Sequence, residues 1–349
     1  MFSSYKKDDV NILLKDITGQ LKPLSTDERE RLIQGGLHYS ETLPLEYEPS
    51  AQYVKVYEEA LKRYAPITAQ AVGTAAEKIL KFHGNNVVLV SLARAGTPIG
   101  ILLKRYLDKK YNLCVPHYTI SIIRDRGIDK NALDYILERH SAKDVRFVDG
   151  WTGKGVIARE VKKAVNGYKG LNAGLAVLSD PAFAAEICGT HEDFLIASSL
   201  LNCTVSGLLS RTVLRSDLIG EKDFHGAAFY SHLKDKDRTY GFIDTVEKYF
   251  DFGAPCEEEK CECVSGLEEV SRICKDFGID DVNLVKPSIG EATRVLLRRV
   301  PGKMLVHSLD DFPHLGHIYT LAEEKGVTVE EYPLKNYKAC GIIQKISDI

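Results

Sequence analysis

Between Ser50 and Gly84 the apolar residues Tyr53, Val56, Tyr57, Ala60 and Leu61 recur at spacings of three and four, and an Ala-rich stretch follows from Pro66 to Phe82. This period places one apolar stripe on a helix, so two covering helices are predicted here. The period then changes. Val87 to Leu92 is a continuous apolar run that reads as a buried strand, Pro98 to Tyr111 as a helix, Pro116 to Ile123 as a strand and Asn131 to His140 as a helix. Val145 to Asp149 is again a strand, Val156 to Asn166 a helix and Gly174 to Leu178 a strand. Strands alternating with helices predict an α/β fold with a parallel sheet covered on both faces.

The pattern breaks at Asp251 to Cys263, where five acids face a single Lys and no period survives. Residues 251–265 therefore read as a linker between a domain over 1–250 and a second one over 266–349. Beyond the linker, Gly266 to Phe277 is predicted as a helix, Asn283 to Val285 as a strand and Ile289 to Arg299 as a helix. Lys303 to His307 (strand), Leu315 to Lys325 (helix) and Val327 to Tyr332 (strand) complete a small α/β/α module.

Composition narrows the class. The 349 residues are 44% hydrophobic and 27% charged, which suits a globular chain of about two domains and excludes disordered and collagenous classes. No apolar run approaches the roughly 20 residues of a membrane helix, so no membrane association is expected. A net charge of −3 gives no bulk attraction to nucleic acid, and any phosphate site must be local. Eight scattered cysteines fit a reducing cytoplasm with free thiols.

Three loops at the carboxyl ends of the predicted strands carry candidate chemistry, because ligands of parallel sheets bind at that edge. The first is Ser91 to Pro98, where Thr97 suits an N-cap, Pro98 the first helical position, and Arg94 adds a guanidinium. The second is Val145 to Gly155, in which Asp149 ends an apolar strand and Thr152, Gly153, Lys154 and Gly155 open the next helix. The spacing is not that of a Walker loop. The third, Ser121 to Asp129, leaves its strand with Arg124 and Arg126.

Taken in this order, the loops resemble the type I phosphoribosyltransferase fold. Gln34 to Glu41 with Glu46 and Pro49, Leu201 to Thr212, and Asp223 to Ala227 extend the resemblance to the phosphoribosyltransferase-like proteins of tellurite-resistance stress operons, a family also labelled StiP-type cysteine protease. It spans roughly Tyr5 to Phe250. The resemblance implies that Ala93, Arg94, Ala95, Gly96 and Thr97 bind the pyrophosphate of phosphoribosyl pyrophosphate with Mg²⁺. It further implies that Asp149 holds the ribose and the metal, and that Thr152 to Gly155 hold the 5′-phosphate. Gly150 stands where the family motif has a second acid, and Trp151 where a small residue is common.

On that reading the chain is a phosphoribosyltransferase in a stress-linked nucleoside or RNA-modification pathway. His38, Glu41, Glu46, Asn202, Ser206 and Arg211 are candidates for the acceptor pocket, and His225 for the general base. Two alternatives stand beside it: a non-catalytic sensor of a phosphoribosyl ligand, and a cysteine protease using Cys203 with His225 or His38. Cys256, Cys261, Cys263 and Cys274, spaced C-x₄-C-x-C-x₁₀-C, could together hold Zn²⁺, although the spacing differs from that of common zinc sites.

In the last module, Ile289 to Val306, His314-Leu315, Leu321 to Val329 and Tyr337 to Ile342 resemble the Pelota-type RNA-binding domain. Five cations oppose one Glu between Lys286 and Lys303. The resemblance implies that Gly290, Glu291, Thr293, Arg294 and Arg298 meet a structured RNA.

Overall fold

The computed structural model describes residues 2–253 and 265–344. The first domain is built on a parallel sheet of β1 (Asn11–Ile12), β2 (Val88–Ala93), β3 (His117–Ile123), β4 (Val145–Val148), β5 (Leu175–Ser179) and β6 (Ile187–Thr190), in the spatial order β1-β3-β2-β4-β5-β6. A two-residue strand, Gly127–Ile128, folds back antiparallel on β3. The expected α/β class with a parallel sheet is present.

Side chains alternate across β2 as a pleated strand requires. Leu89 joins Val72, Ala75, Ile79 and Leu103 on one face, from helices α1 (Ala51–His83) and α2 (Gly96–Tyr111). Val88, Val90 and Leu92 join Leu133, Ile136 and Val161 on the other, from α3 (Lys130–Leu137) and α4 (Val156–Ala164). Burial on both faces explains why these strands are continuous apolar runs.

Three expectations are corrected. The two helices expected before the sheet are one, α1, with Pro66 inside it. Proline removes one N–H from the ladder, but buried Tyr57, Tyr64, Val72 and Ile79 lie on both sides of the interruption and hold the helix together. Thr97 is not the cap of α2: the helix starts at Gly96 after Ala95, and the Thr97 hydroxyl instead meets that of Thr119 at 2.8 Å. A Cβ on Gly96 would stand 2.5 Å from the Val148 carbonyl oxygen, so this residue lets α2 start against the end of β4. The edge strand β6 had no predicted counterpart.

After α5 (Thr239–Glu247), the second domain comprises α6 (Gly266–Asp276), β7 (Val285–Pro287), α7 (Ile289–Arg298), β8 (Pro301–Val306), α8 (Phe312–Glu324), β9 (Val329–Glu331) and β10 (Ala339–Ile343). Its sheet order is β7-β10-β8-β9, with β10 antiparallel to both neighbours. The domains are not independent beads. Ile289, Ala292, Leu296, Leu315 and Ile318 share one continuous apolar cluster with α1 and α2. Asp193 accepts the Ile289 N–H at 3.1 Å and the Lys338 N–H at 2.9 Å, pinning the start of α7 to the first domain. Gly266 is there because a Cβ would lie 2.6 Å from the Ala182 Cα.

Candidate functional site: a thiol–imidazole pair at the sheet edge

Strands β5 and β6 run in register with Thr190 beside Ser179, so the residues that follow them, Asp180 and His191, emerge together at the sheet edge. The Asp180 N–H donates to the Thr190 carbonyl at 2.9 Å and locks the two ends. His191 Nδ1 lies 2.9 Å from the Asp180 carbonyl oxygen. A carbonyl can only accept, so Nδ1 carries a proton, and in the neutral ring Nε2 has the lone pair. That lone pair faces Cys188 Sγ at 3.4 Å. Phe183 stacks on the imidazole at 4.0 Å and holds its plane.

The Asp180 carboxylate is itself fixed. It accepts the Thr152 hydroxyl and the Ala184 and Ala185 N–H groups, each of these two at 3.0 Å, while burial raises its pKa. One of its oxygens is 3.8 Å from His191 Nδ1, beyond hydrogen-bond distance. Cys188, His191 and Asp180 thus gather a thiol, an imidazole and a carboxylate, with the imidazole hydrogen-bonded to the Asp180 carbonyl rather than to its carboxylate. Their donor atoms lie within 4.8 Å of one another, and thiolate, imidazole and carboxylate are also ligands that Zn²⁺ takes. The C-x₂-H spacing of Cys188-Gly-Thr-His191 was the signal in the sequence, and none of these three residues had been singled out.

The expected nucleophile, Cys203, sits elsewhere. It is buried, as Cys188 also is, and burial with nearby Glu46 pushes the Cys203 pKa up to about 12 against the opposing pull of Arg94. Neither expected imidazole is hydrogen-bonded to it. His225 Nδ1 meets Ser121 Oγ at 2.9 Å, its backbone N–H donates to Asp129, and burial lowers its pKa. His38 Nδ1 meets Ser40 Oγ at 2.8 Å, and burial also lowers its pKa, with help from Arg126.

The loops expected to cradle phosphates line one cavity and also make contacts of their own. Thr152 is bound to Asp180. Lys154 donates to the carbonyls of Val282 at 2.8 Å and Val285 at 3.1 Å, and its burial draws the pKa down to about 8. Gly153 accepts the Tyr337 hydroxyl at 2.6 Å. Gly153 and Lys154 therefore seat the second domain, while Thr152, Gly153, Lys154 and Gly155 all line the cavity at Asp149. Asp149, whose pKa burial lifts to about 7, accepts the Gly150 N–H at 2.8 Å and lines that cavity of about 310 Å³ with Ala95, Arg124, Gly155 and Lys286. The Ala93–Arg94 peptide is cis. Arg126 pairs with Glu41, and Ser206 donates to the Asn202 carbonyl.

Glu46, Arg94, Asn202 and Arg211 do come together, in a cleft of about 680 Å³ between the domains. Glu46 accepts Arg94 at 3.1 Å and Asn202 at 2.9 Å, and Asn202 accepts Arg298 from α7. The α7 face expected to meet RNA thus lines the cleft between the domains with Glu291, Arg294 and Arg298, while Gly290 and Thr293 are buried. Thr293 is fully buried, and a Cβ on Gly290 would meet Ser199 Oγ at 2.9 Å. Glu291 and Arg294 pair with each other at 2.9 Å on the cleft wall. Cys256, Cys261 and Cys263 lie outside the described residues; Cys274 is half-buried in α6.

An α/β domain carrying a thiol–imidazole–carboxylate cluster defines a class of candidate thiol hydrolases. Residues 3–247 match the family described as tellurite-like stress resistance cysteine protease StiP, and residues 264–345 match the Pelota RNA-binding domain. The chain belongs to the StiP family. A curated relative from Acinetobacter baylyi, named cysteine protease StiP, is 35% identical over 98% of this chain and 94% of its own length. These matches overturn the expected phosphoribosyltransferase activity and its transferase class: family and relative are both named as cysteine proteases. The protease alternative is the reading they favour, and the stress-resistance association agrees with the family description. No described helix is long and apolar enough to cross a membrane.

Proposed function

We propose that the protein is a cysteine peptidase in which Cys188 is the nucleophile, His191 the general base and acid, and Asp180 the group that holds the imidazole. The observation that carries this reading is the 3.4 Å approach of Cys188 Sγ to His191 Nε2. Among the described residues no other thiol is hydrogen-bonded to an imidazole. The phosphoribosyltransferase-like arrangement of loops then serves as a scaffold, since a fold does not dictate a chemistry.

The steps balance with these groups alone. His191 Nε2 takes the thiol proton, the thiolate attacks the peptide carbonyl carbon, and the negative charge passes to the carbonyl oxygen. The imidazolium returns the proton to the leaving amine as the C–N bond breaks, leaving a thioester. Water, deprotonated by His191, then attacks the thioester, freeing the acid and restoring the thiol.

The test is hydrolysis of a fluorogenic casein by the full chain and by Cys188→Ser, His191→Gln and Cys203→Ser, with metal content measured on each. Loss of at least 100-fold in the first two and near-native activity in the third supports the reading. Retained activity in Cys188→Ser, or one equivalent of zinc that disappears with Cys188, overturns it. RNA is the partner supported by the match of the second domain, and a salt-dependent mobility shift of a folded RNA by the full chain tests that.

A further inference from the structure

The interdomain cleft is unusually rich in cations. Its walls carry seven Lys and Arg residues against Glu46, Glu48 and Glu291. All three carboxylates are already engaged: Glu46 with Arg94, Glu291 with Arg294, and Glu48 with Lys236 at 2.6 Å. Arg298 is also spent, donating to Tyr53 at 2.7 Å and to Asn202 and the Leu200 carbonyl.

Of the other four, Arg29 donates to the Thr42 hydroxyl at 3.3 Å and Arg299 is engaged as well, which leaves two cations, one from each domain. The Arg211 guanidinium forms no hydrogen bond or ion pair with any described residue and only lies over the Tyr39 ring at 4.8 Å. Burial, Arg29 and Arg94 pull its pKa down to about 10, which shows a charge held among like charges. Lys286 Nζ likewise has no polar partner among the described residues. Burial and the neighbouring Arg299, Arg124 and Arg294 lower its pKa despite Glu291. Like charges gathered in a partly desolvated cleft raise the energy of the empty state, and an anion relieves that cost.

We propose that this cleft binds a phosphorylated small molecule of nucleotide size, with its phosphates held between Arg211 of the first domain and Lys286 of the second. The excess of positive charge calls for a multiply charged anion rather than a single carboxylate. Guanidinium forks match phosphate oxygens with two parallel hydrogen bonds. The volume of about 680 Å³ falls in the range of small-molecule sites. Tyr47, 63% exposed on the cleft wall, offers a ring face for a base. The site is separate from the Cys188 cluster and does not depend on the peptidase reading. A ligand that touches both domains also clamps them together, so occupancy raises the melting temperature of the whole chain.

The test is calorimetric titration and thermal melting of the full chain with ATP, AMP and inorganic pyrophosphate at physiological salt, with a short folded RNA as comparison. The native chain is expected to bind ATP and pyrophosphate and to melt higher in their presence. Arg211→Gln and Lys286→Gln are each expected to weaken that binding at least tenfold while the ligand-free melting temperature stays within 2 °C of native. If Arg211→Gln does not fold, Lys286→Gln decides. Absence of binding for all three anions overturns the proposal, as does binding undiminished in a folded Lys286→Gln variant. Binding of RNA alone, weakened by both substitutions, overturns it in favour of an RNA groove.

Discussion

Cys188 Sγ stands 3.4 Å from His191 Nε2, three residues along the chain and across the end of an edge strand. The contact follows from register: Thr190 pairs with Ser179, so Asp180 and His191 leave adjacent strands side by side, and the Asp180 carbonyl accepts from Nδ1. The peptidase reading starts from that contact.

If the imidazole activates the thiol, alkylation of Cys188 near neutral pH depends on it. In native protein Cys188 is expected to react with iodoacetamide, and His191→Gln to slow the reaction at least tenfold. Peptide mapping by mass spectrometry reads the site. An equal rate in the variant would remove the base from the account.

Cys203 should behave in the opposite way. With its pKa near 12, only about one thiol in 10⁵ is ionised at pH 7, so it stays unlabelled in the folded chain and reacts after unfolding. Labelling of Cys203 in native protein at the rate of a free thiol would contradict its placement.

Burial lifts the Asp149 pKa from 3.8 to about 7, and the sign of the stability effect follows. Between pH 4 and 7 the folded state binds the proton that the unfolded state has already lost, so stability falls as pH rises through that window. Asp149→Asn keeps the shape without the charge. It is expected to stabilise the fold at pH 8 by up to about 4 kcal/mol and to change little at pH 4. Denaturant titrations at the two values check this, and a variant less stable at pH 8 would contradict it.

Arg298 joins α7 to Tyr53, Asn202 and the Leu200 carbonyl. Arg298→Ala leaves those partly buried groups without their partner and is expected to cost about 2 to 4 kcal/mol, with the melting temperature as readout. A loss below about 0.5 kcal/mol would show that the shared apolar cluster alone holds the domains.

Much of the fold was legible because strands such as Val88–Ala93, buried on both faces, are continuous apolar runs, and the helices between them keep one stripe. Pro66 misled because proline is a local breaker, whereas the packing that carries α1 past it is tertiary. Edge strand Ile187–Thr190 is short and contains Cys188 and Gly189, so no apolar period marks it. The candidate site was harder to see. Glu46, Arg94, Asn202 and Arg211 were recognisable as polar residues in small-residue segments, and they do share a cleft. That Lys154 and Gly153 seat the second domain, and that α7 turns Thr293 inward, depends on contacts between distant segments that no local pattern encodes. The cluster was hidden for the same reason, since Asp180 meets His191 only through the pairing of β5 with β6.

The central claim is that Cys188 forms the covalent bond to the peptide. Incubation of the full chain with a peptidyl chloromethyl ketone, followed by intact-mass measurement and peptide mapping, tests it most directly. One adduct on Cys188, absent in His191→Gln and accompanied by loss of casein hydrolysis, is the expected result; an adduct on Cys203, or inactivation with Cys188 unmodified, would contradict the account.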